Sequence, residues 1–491
     1  MAGSMLSPVT GMAAKNSTPK VIVSFMNYTG RPAGADRIQE LISAYTEENF
    51  GISVELLVLD SASYNQNMTL MLTSGEQVDV FNAVTLGYTS CVNNDYCLDL
   101  EEDDLIATYG AGILETLDET YIDACRIDGT LYGLPQMRDM AVGMDCFAIG
   151  AEYLDEIGFD YASMYTEESS EIIYTDIDTI SDIFAQLHET IPDKYVFEPS
   201  SAANLLAQGV LVDQVGGDSF GVLLDPENSL VVEDLYSSDL FYDLCSRVYA
   251  WNQAGYISQD ALTDDTAVTT QVQAGTLMAY STAGKPGIKQ QESNLCGREM
   301  IIFQCGDDFM KSSGVASMPW CINSGTEDPE SAMTILNAFY TDSYLSNLLC
   351  WGEEGTEWQY TDDGHITYAD GIDADNTEWY NNVNWEMPNQ FIAEIWEGDS
   401  LDIWTEMEAF NDESVKSIAL GYAFDNSDVS STYTALTNVY NEYVESLLLG
   451  FSDPDTVIPE LEEKLQAAGL EEYMAAKQAS LDAWAEANGV G

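Results

Sequence analysis

The stretch DGTLYGLPQMRD, residues 128–139, decides how this chain is read. Asp128-Gly129 is a hairpin signal, because both residues tolerate the positive φ that a tight reversal demands. The apolar run Leu131, Tyr132, Gly133, Leu134 predicts a short strand, and Pro135 ends it because proline brings no N–H to a ladder. Gln136, Arg138 and Asp139 follow, and the chain then enters a second apolar run, AVGMDCFAIG (141–150). A polar cluster between two buried strands suits a chain that leaves one lobe and enters another, with its side chains facing the gap. An ordinary surface hairpin fits these residues equally well, so the rest of the chain has to decide.

Upstream, KVIVSF (20–25) is a β-branched run apolar enough to be buried on both faces. A helix is predicted over 36–49, with Ile38, Leu41, Ile42 and Tyr45 on one face and Gly51 as its stop. The strand ISVELLVLD (52–60), a helix over 64–73 and the strand VDVFNAV (78–84) repeat the pattern. Alternation of this kind gives an α/β lobe on a mostly parallel sheet. Ligands sit beyond the carboxyl ends of such strands, which points to Asn27 and Tyr28 after the first and to Thr85 and Tyr88 after the third. Downstream, 98–124 reads as acidic helices, 161–176 as an irregular acidic segment, and 274–287 as a strand breaking into a Gly/Pro loop. A helix over 328–342 is capped by Asp328 with Pro329 at its first position, and a hairpin over 358–371 turns at Asp362-Asp363-Gly364. The last third is helical, with Ser430 or Ser431 as a cap and Gly450 as a stop.

At 491 residues and 46% hydrophobic, the chain exceeds the roughly 250–300 residues of a single core, so two lobes are expected. Fifteen Lys and Arg against 84 Asp and Glu give a net charge of −69. Nucleic acid and anionic membranes bind through clustered cations, and no basic patch exists here, which argues against both. The charge also predicts a soluble monomer, and a polyanionic ligand only if Arg138, Lys285 and Arg298 converge on it. Nine cysteines leave at least one thiol unpaired. Cys91 with Cys97, or Cys296 with Cys305, are spaced for local bridges, although reduced, buried thiols are the expectation. His188 and His365 stand too far apart in sequence for a Cys/His metal cluster. There is no run of about 20 apolar residues to span a membrane. Residues 1–19 lack both a basic and an apolar signal region and read as an added tag and flexible lead-in, any export signal having been cut off.

No phosphate loop is present, since TGRPAGAD (29–36) lacks both glycine-rich spacings, and no G-x-S-x-G elbow surrounds a serine. A glycosidase would need a carboxylate pair, which 84 acids cannot single out. Asp370, Asp373, Asp375 and Glu378 offer oxygens for calcium, but they lack the EF-hand glycine and read as a solvated loop, so no cofactor is expected. The tryptophans at 351, 358, 379, 385, 396 and 404 crowd into an otherwise polar stretch. An indole face stacks on the apolar face of a sugar while neighbouring amides bond its hydroxyls; most of the six are expected in the core instead. Trp385, beside Asn384, Asn389 and Gln390, is the expected ligand platform.

Taken in order, DGTLYGLP, NQAGYISQDA (252–261), AYSTAGKPG (279–287), DPESAMTILNAFYTD (328–342), LLCWGEEGTEW (348–358) and MPNQF (387–391) resemble the extracellular solute-binding proteins (family 1) of ABC importers, especially the oligosaccharide-binding lipoproteins of Gram-positive bacteria. The resemblance runs from about residue 20 to 487. It implies an α/β, two-lobed periplasmic-binding-protein-like fold with crossings near 135–141, 313–318 and 351–358. Residues 20–137 with 317–352 would form lobe 1, and 138–316 with 353–491 lobe 2. It implies ligand contacts at Arg138, Asp139, Tyr280, Ser281, Lys285, Trp385, Asn389 and Gln390, joined by Asn27, Tyr28 and Tyr88, with Glu353 and Glu354 as hinge-side structure. It further implies a non-catalytic, surface-anchored receptor that passes a neutral oligosaccharide to permease subunits. The family's lipid-anchoring Cys is absent near the start, and the acidity exceeds the family's norm. A same-fold receptor for a peptide or an acidic sugar, and an enzyme acting on polysaccharide, stay open as alternatives.

Overall fold

The computed structural model describes residues 18–166, 171–199, 208–264, 266–374, 376–379 and 383–490. Most of the lead-in, residues 1–17, and Asp375 of the acidic loop lie outside them. Strand Lys20–Asn27 lies second from the edge of the first sheet, flanked in parallel by Ser53–Asp60 at the edge and Val80–Asn82 at the centre. Trp320–Ile322 and Gly133–Leu134 extend that sheet antiparallel. The crossover helix Ala35–Phe50 buries Ile38 and Ile42 and ends at Gly51 with φ 72°. Helix Ser61–Ser74 starts where the Asp60 side chain accepts from the Ala62 N–H, satisfying an orphan donor.

The second sheet centres on the buried strand Asp145–Gly150, flanked antiparallel by Leu277–Ala283 and Met300–Cys305. Tyr195–Glu198 and Ile172–Thr175 form its edges, each parallel to its neighbour. Helices Asp239–Gln253, Ser430–Leu448, Pro454–Ala468 and Leu470–Asn488 gather a further core against this lobe. Ser430 is the first helical residue there and makes no side-chain cap, so the expected serine cap does not form. All nine cysteines are buried free thiols. The Asp-Gly signal is realised: Asp128 (φ 51°) and Gly129 (φ 82°) join Arg126–Ile127 to Thr130–Leu131.

Two connections run between the two sheets in this part of the chain. Residues 135–144 link the strand Gly133–Leu134 to Asp145–Gly150, and 306–319 return from Met300–Cys305 to Trp320–Ile322. They run against each other closely enough that a Cβ on Gly143 would sit 2.1 Å from the Phe309 carbonyl oxygen, which the Gly143 N–H bonds at 2.8 Å. Gln136 donates to the Met318 carbonyl, and Arg138 donates to the Asp139 and Gly314 carbonyls at 2.6 and 3.0 Å. These side chains therefore face the neighbouring crossing rather than the gap between the lobes.

The third crossing lies elsewhere than at 351–358. Gly352 (φ 86°) turns the chain back, and Arg37 on the first crossover helix holds both Glu353 and Glu357. Trp379, Met387, Ala393 and Phe410 then pack into the first lobe's core, so much of the segment given to lobe 2 belongs with lobe 1. The chain passes over after Phe410, since Ala419 and Tyr422 pack with Val215, Leu223 and Leu481. At this third passage Asn411 accepts from the N–H groups of Met140 and Ala141 (2.7 and 3.1 Å) and donates to the Arg138 carbonyl (2.7 Å). One buried carboxamide thus ties the third passage to the first.

Asn411→Ala strands those buried backbone groups, so urea unfolding should show a loss of about 2–4 kcal/mol. A loss below about 1 kcal/mol would mean that water replaces the carboxamide and that it is no tie.

Candidate functional site

A cavity of about 390 Å³ opens between the loop that follows strand Leu277–Ala283 and the segment from Cys350 to Met407. Trp351, Trp379, Trp396, Trp404 and Tyr368 make its aromatic wall; Lys285, Gln290 and Asn294 face them. The rings are held by their edges. The indole N–H of Trp351 donates to the Glu394 carbonyl at 2.9 Å, that of Trp379 to Leu349 at 3.1 Å and that of Trp404 to Ala393 at 2.8 Å. Trp351 and Tyr368 pack on Trp396 at 5.4 and 4.8 Å between centroids, and Phe391 stacks on Trp404 at 5.6 Å. Indoles whose polar edge is satisfied by protein backbone present their faces to a ligand without paying to desolvate the N–H.

The polar groups are mostly acids. Glu357 is spent on Arg37, and Lys285 is 2.8 Å from Asp139. Burial, with Glu171 nearby, pushes the Asp399 carboxyl up to about 6, against the pull of Lys285 and His365. Burial also raises Glu171, whose carboxylate accepts from the Gly287 N–H at 2.6 Å. His365 is raised by its contact with Asp363. Among the described residues, no group of His, Cys, Asp and Glu is arranged to hold a metal ion, and Asp373 and Asn376 bond each other's backbone. None of the helices is long and apolar enough to cross a membrane among the residues described.

Of the residues expected in the site, Lys285 lines this cavity. Asp139 reaches its edge through Lys285. Tyr88 is instead a core residue whose hydroxyl donates to the Cys125 carbonyl, and Tyr280 is buried with its hydroxyl on Glu292. Ser281 is fully buried within its strand. Arg138, Asn389 and Gln390 belong to the hinge: Asn389 donates to the Tyr340 carbonyl at 2.9 Å, and Met137 bridges to the Asn389 strand segment. Asn27, Tyr28 and Trp385 gather instead at the strand end of lobe 1 around Glu386, whose carboxyl accepts from the Met26 N–H at 3.2 Å. Burial raises the Glu386 carboxyl well above its ordinary value, against the hydrogen bond from the Met26 N–H. The sequence flagged Trp351, Trp379, Trp396 and Trp404 as a cluster; what it lacked was the turn at Gly352 that folds the cluster back over one cavity.

A family model described as a bacterial extracellular solute-binding protein matches residues 40–349, and a domain of unknown function (DUF3502) matches 418–486. A curated carbohydrate ABC transporter substrate-binding protein of Streptococcus pneumoniae is 24% identical over 459 residues, 93% of this chain and 89% of that one. The crystal structure of the N-glycan transport solute binding protein NgtS from the same organism superposes with a TM-score of 0.80 at 22% identity, covering 95% of this chain and 99% of that one. The complex of NgtS with Man5GlcNAc gives 0.68 at 22% identity over the same shares. Likeness at this identity establishes a common fold of two lobes.

Because Asp399 holds its proton up to about 6 when folded, against about 3.9 when unfolded, the native state binds the extra proton in between, and its contribution to stability falls as pH rises through that window. Asp399→Asn should therefore be more stable than the parent at about pH 7.5, by on the order of 1 kcal/mol after allowing for its partial exposure, and nearly equal to it at about pH 4. Thermal unfolding of both at the two pH values checks this; a gap that widens in acid would contradict it.

Proposed function

The chain belongs to the bacterial extracellular solute-binding proteins, and from that footing we propose that it captures a neutral oligosaccharide between its lobes for import by an ABC permease. The observation that carries this reading is the cavity walled by four tryptophans whose N–H edges are largely tied back to the backbone. Pyranose rings offer an apolar face to such walls, while Gln290, Asn294, Asp399 and Lys285 meet the hydroxyls at the ring edge. The relatives named above are a carbohydrate substrate-binding protein and an N-glycan transport protein, and both accord with this. The family works by binding, not by catalysis.

Charge favours a neutral ligand. Lys285 is paired with Asp139 and Arg37 with Glu353 and Glu357, so the cations near the cavity are already engaged, while Glu397 and Asp399 add negative potential. An acidic sugar would meet that field unpaired. The proposed mechanism is capture by an open form, followed by closure that the ligand favours only through its higher affinity for the closed state. Micromolar affinity corresponds to roughly 8 kcal/mol, which suits one or two stacked rings and a few hydrogen bonds. The protein is an exported one, as its family is; anchorage by an N-terminal lipid and hand-over to permease subunits in the membrane complete the proposal.

Asn27, Tyr28 and Trp385 form a second proposed contact group, on the first lobe. A thermal-shift screen of the purified protein against neutral and acidic saccharides should give a rise with neutral ones, since a ligand that binds only the folded state stabilises it by about 2.7 kcal/mol at a hundredfold excess over its Kd. No rise with any sugar would overturn the reading in favour of a peptide or another solute. With the sugar in hand, Trp396→Ala should weaken binding by about 1.5–3 kcal/mol by calorimetry. An unchanged Kd would remove the aromatic cavity from the site, and the same titration of Trp385→Ala decides on the strand-end group.

A further inference from the structure

The aromatic cavity does not end at Trp396. An open groove of about 600 Å³ continues from it, and the two share Gln290, Asn294, Trp396 and Glu397 as lining residues. The groove's far end is made by the turn of the Trp358–Tyr360/Ile366–Tyr368 hairpin, through Thr361, Asp363 and His365, and by Gly398. Resting on the oligosaccharide reading, we infer that this groove is an outer subsite that binds the continuation of the ligand, so the protein prefers a chain longer than the aromatic cavity alone holds.

Three features of the groove support this. First, Trp396 is common to both compartments and is held in place by Trp351 and Tyr368, so a chain leaving the inner cavity passes over a fixed aromatic surface. Second, the wall facing the hairpin turn is a pair of neutral amides: Gln290 and Asn294 lie one helical turn apart on Ile288–Cys296 and bond each other at 2.8 Å. Such a pair aligns donors and acceptors along the groove without adding charge, which suits hydroxyls and acetamido groups. Third, the rim is built rather than loose. His365 Nε2 meets the Asp399 carbonyl at 3.0 Å and Nδ1 lies 3.1 Å from Asp363, while Thr361 donates to Asp363 at 2.5 Å and to the His365 carbonyl at 3.1 Å. The loop comes so near the helix that a Cβ on Gly398, where φ is 100°, would lie 2.9 Å from the Gln290 carboxamide.

The volumes set the division of the ligand. About 390 Å³ is the liquid volume of roughly thirteen waters, room for one or two sugar rings, whereas the outer groove is open to solvent. The terminal rings of a glycan would fill the aromatic cavity and the next units would lie along the amide pair towards His365. Asp363 and Glu397 keep the outer stretch negative, so those units are neutral as well.

Calorimetry with two probe series tests this: Man1GlcNAc against Man5GlcNAc, and the ladder from maltose to maltopentaose. In whichever series binds, the longer members should bind about tenfold more tightly, a step equal to about 1.4 kcal/mol. Thr361→Tyr and Thr361→Trp, changes confined to the outer groove, should each remove that step while leaving the shortest member's Kd within about twofold. Equal affinity of short and long members for the parent protein would overturn the outer subsite and leave the receptor reading standing. Survival of the step in both variants would also overturn it. Failure of every member of both series to bind would overturn the receptor reading for these glycans, and this inference with it.

Discussion

Everything in this structure that can move or bind depends on a buried seam where the three passages between lobes are tied together. Arg138 is buried there, and burial lowers its pKa. A guanidinium is tolerated in such a place because the Asp139 carboxylate lies 3.7 Å away and the carbonyl groups of Asp139 and Gly314 take its N–H donors. Asn411 brings the third passage to the first, and Gln136 ties the first to the second. Removing one partner from a buried charged network costs about 3–5 kcal/mol, a large share of the roughly 8 kcal/mol that micromolar affinity corresponds to. In the proposed capture mechanism, opening and closing rotate about this seam rather than through it.

The seam reaches the binding cavity through one contact. Asp139, next in the chain to Arg138, pairs with Lys285 in the loop of the second lobe. That pair holds the cation at the cavity's edge and fixes the loop whose glycine, Gly287, also bonds Glu171. Across from it, the first lobe contributes aromatic rings beside the carboxylates of Glu397 and Asp399. Trp351 and Trp404 each give their N–H to the backbone and keep half-buried apolar faces, while Trp379 is buried in the lobe's core behind them. The lobes thus bring unlike chemistries together, one amide-rich and one aromatic, and a sugar ring with its hydroxyl edge and apolar face satisfies both.

Much of this was legible in the sequence, and the exceptions have physical causes. The alternation of apolar strands and amphipathic helices in 20–84 predicted the parallel part of the first sheet, and Asp128-Gly129 the hairpin beside the first passage. Resemblance to the family supplied the expectation of two lobes joined by passages near 135–141, 313–318 and 351–358. The third was misplaced because Gly352 marks a reversal, and a glycine at a turn does not say where the chain goes next. Polar residues next to a passage were taken for ligand contacts, whereas Arg138, Asn389 and Gln390 are buried and serve backbone groups. In a sequence, a side chain that satisfies a hinge and one that satisfies a sugar look alike, because both are polar residues between apolar runs. The tryptophans were recognised as unusual, but which of them share a cavity depends on contacts far apart in the chain, such as Arg37 with Glu353.

The most direct test of the central claim is a crystal structure of the protein with the neutral oligosaccharide that stabilises it best. The account predicts a sugar ring lying on Trp396 or Trp404, its hydroxyls bonded to Gln290, Asn294 or Lys285, with the Arg138–Gly314 and Asn411 bonds intact in the closed form. A sugar bound away from these rings, or closure that breaks the buried seam, would contradict it.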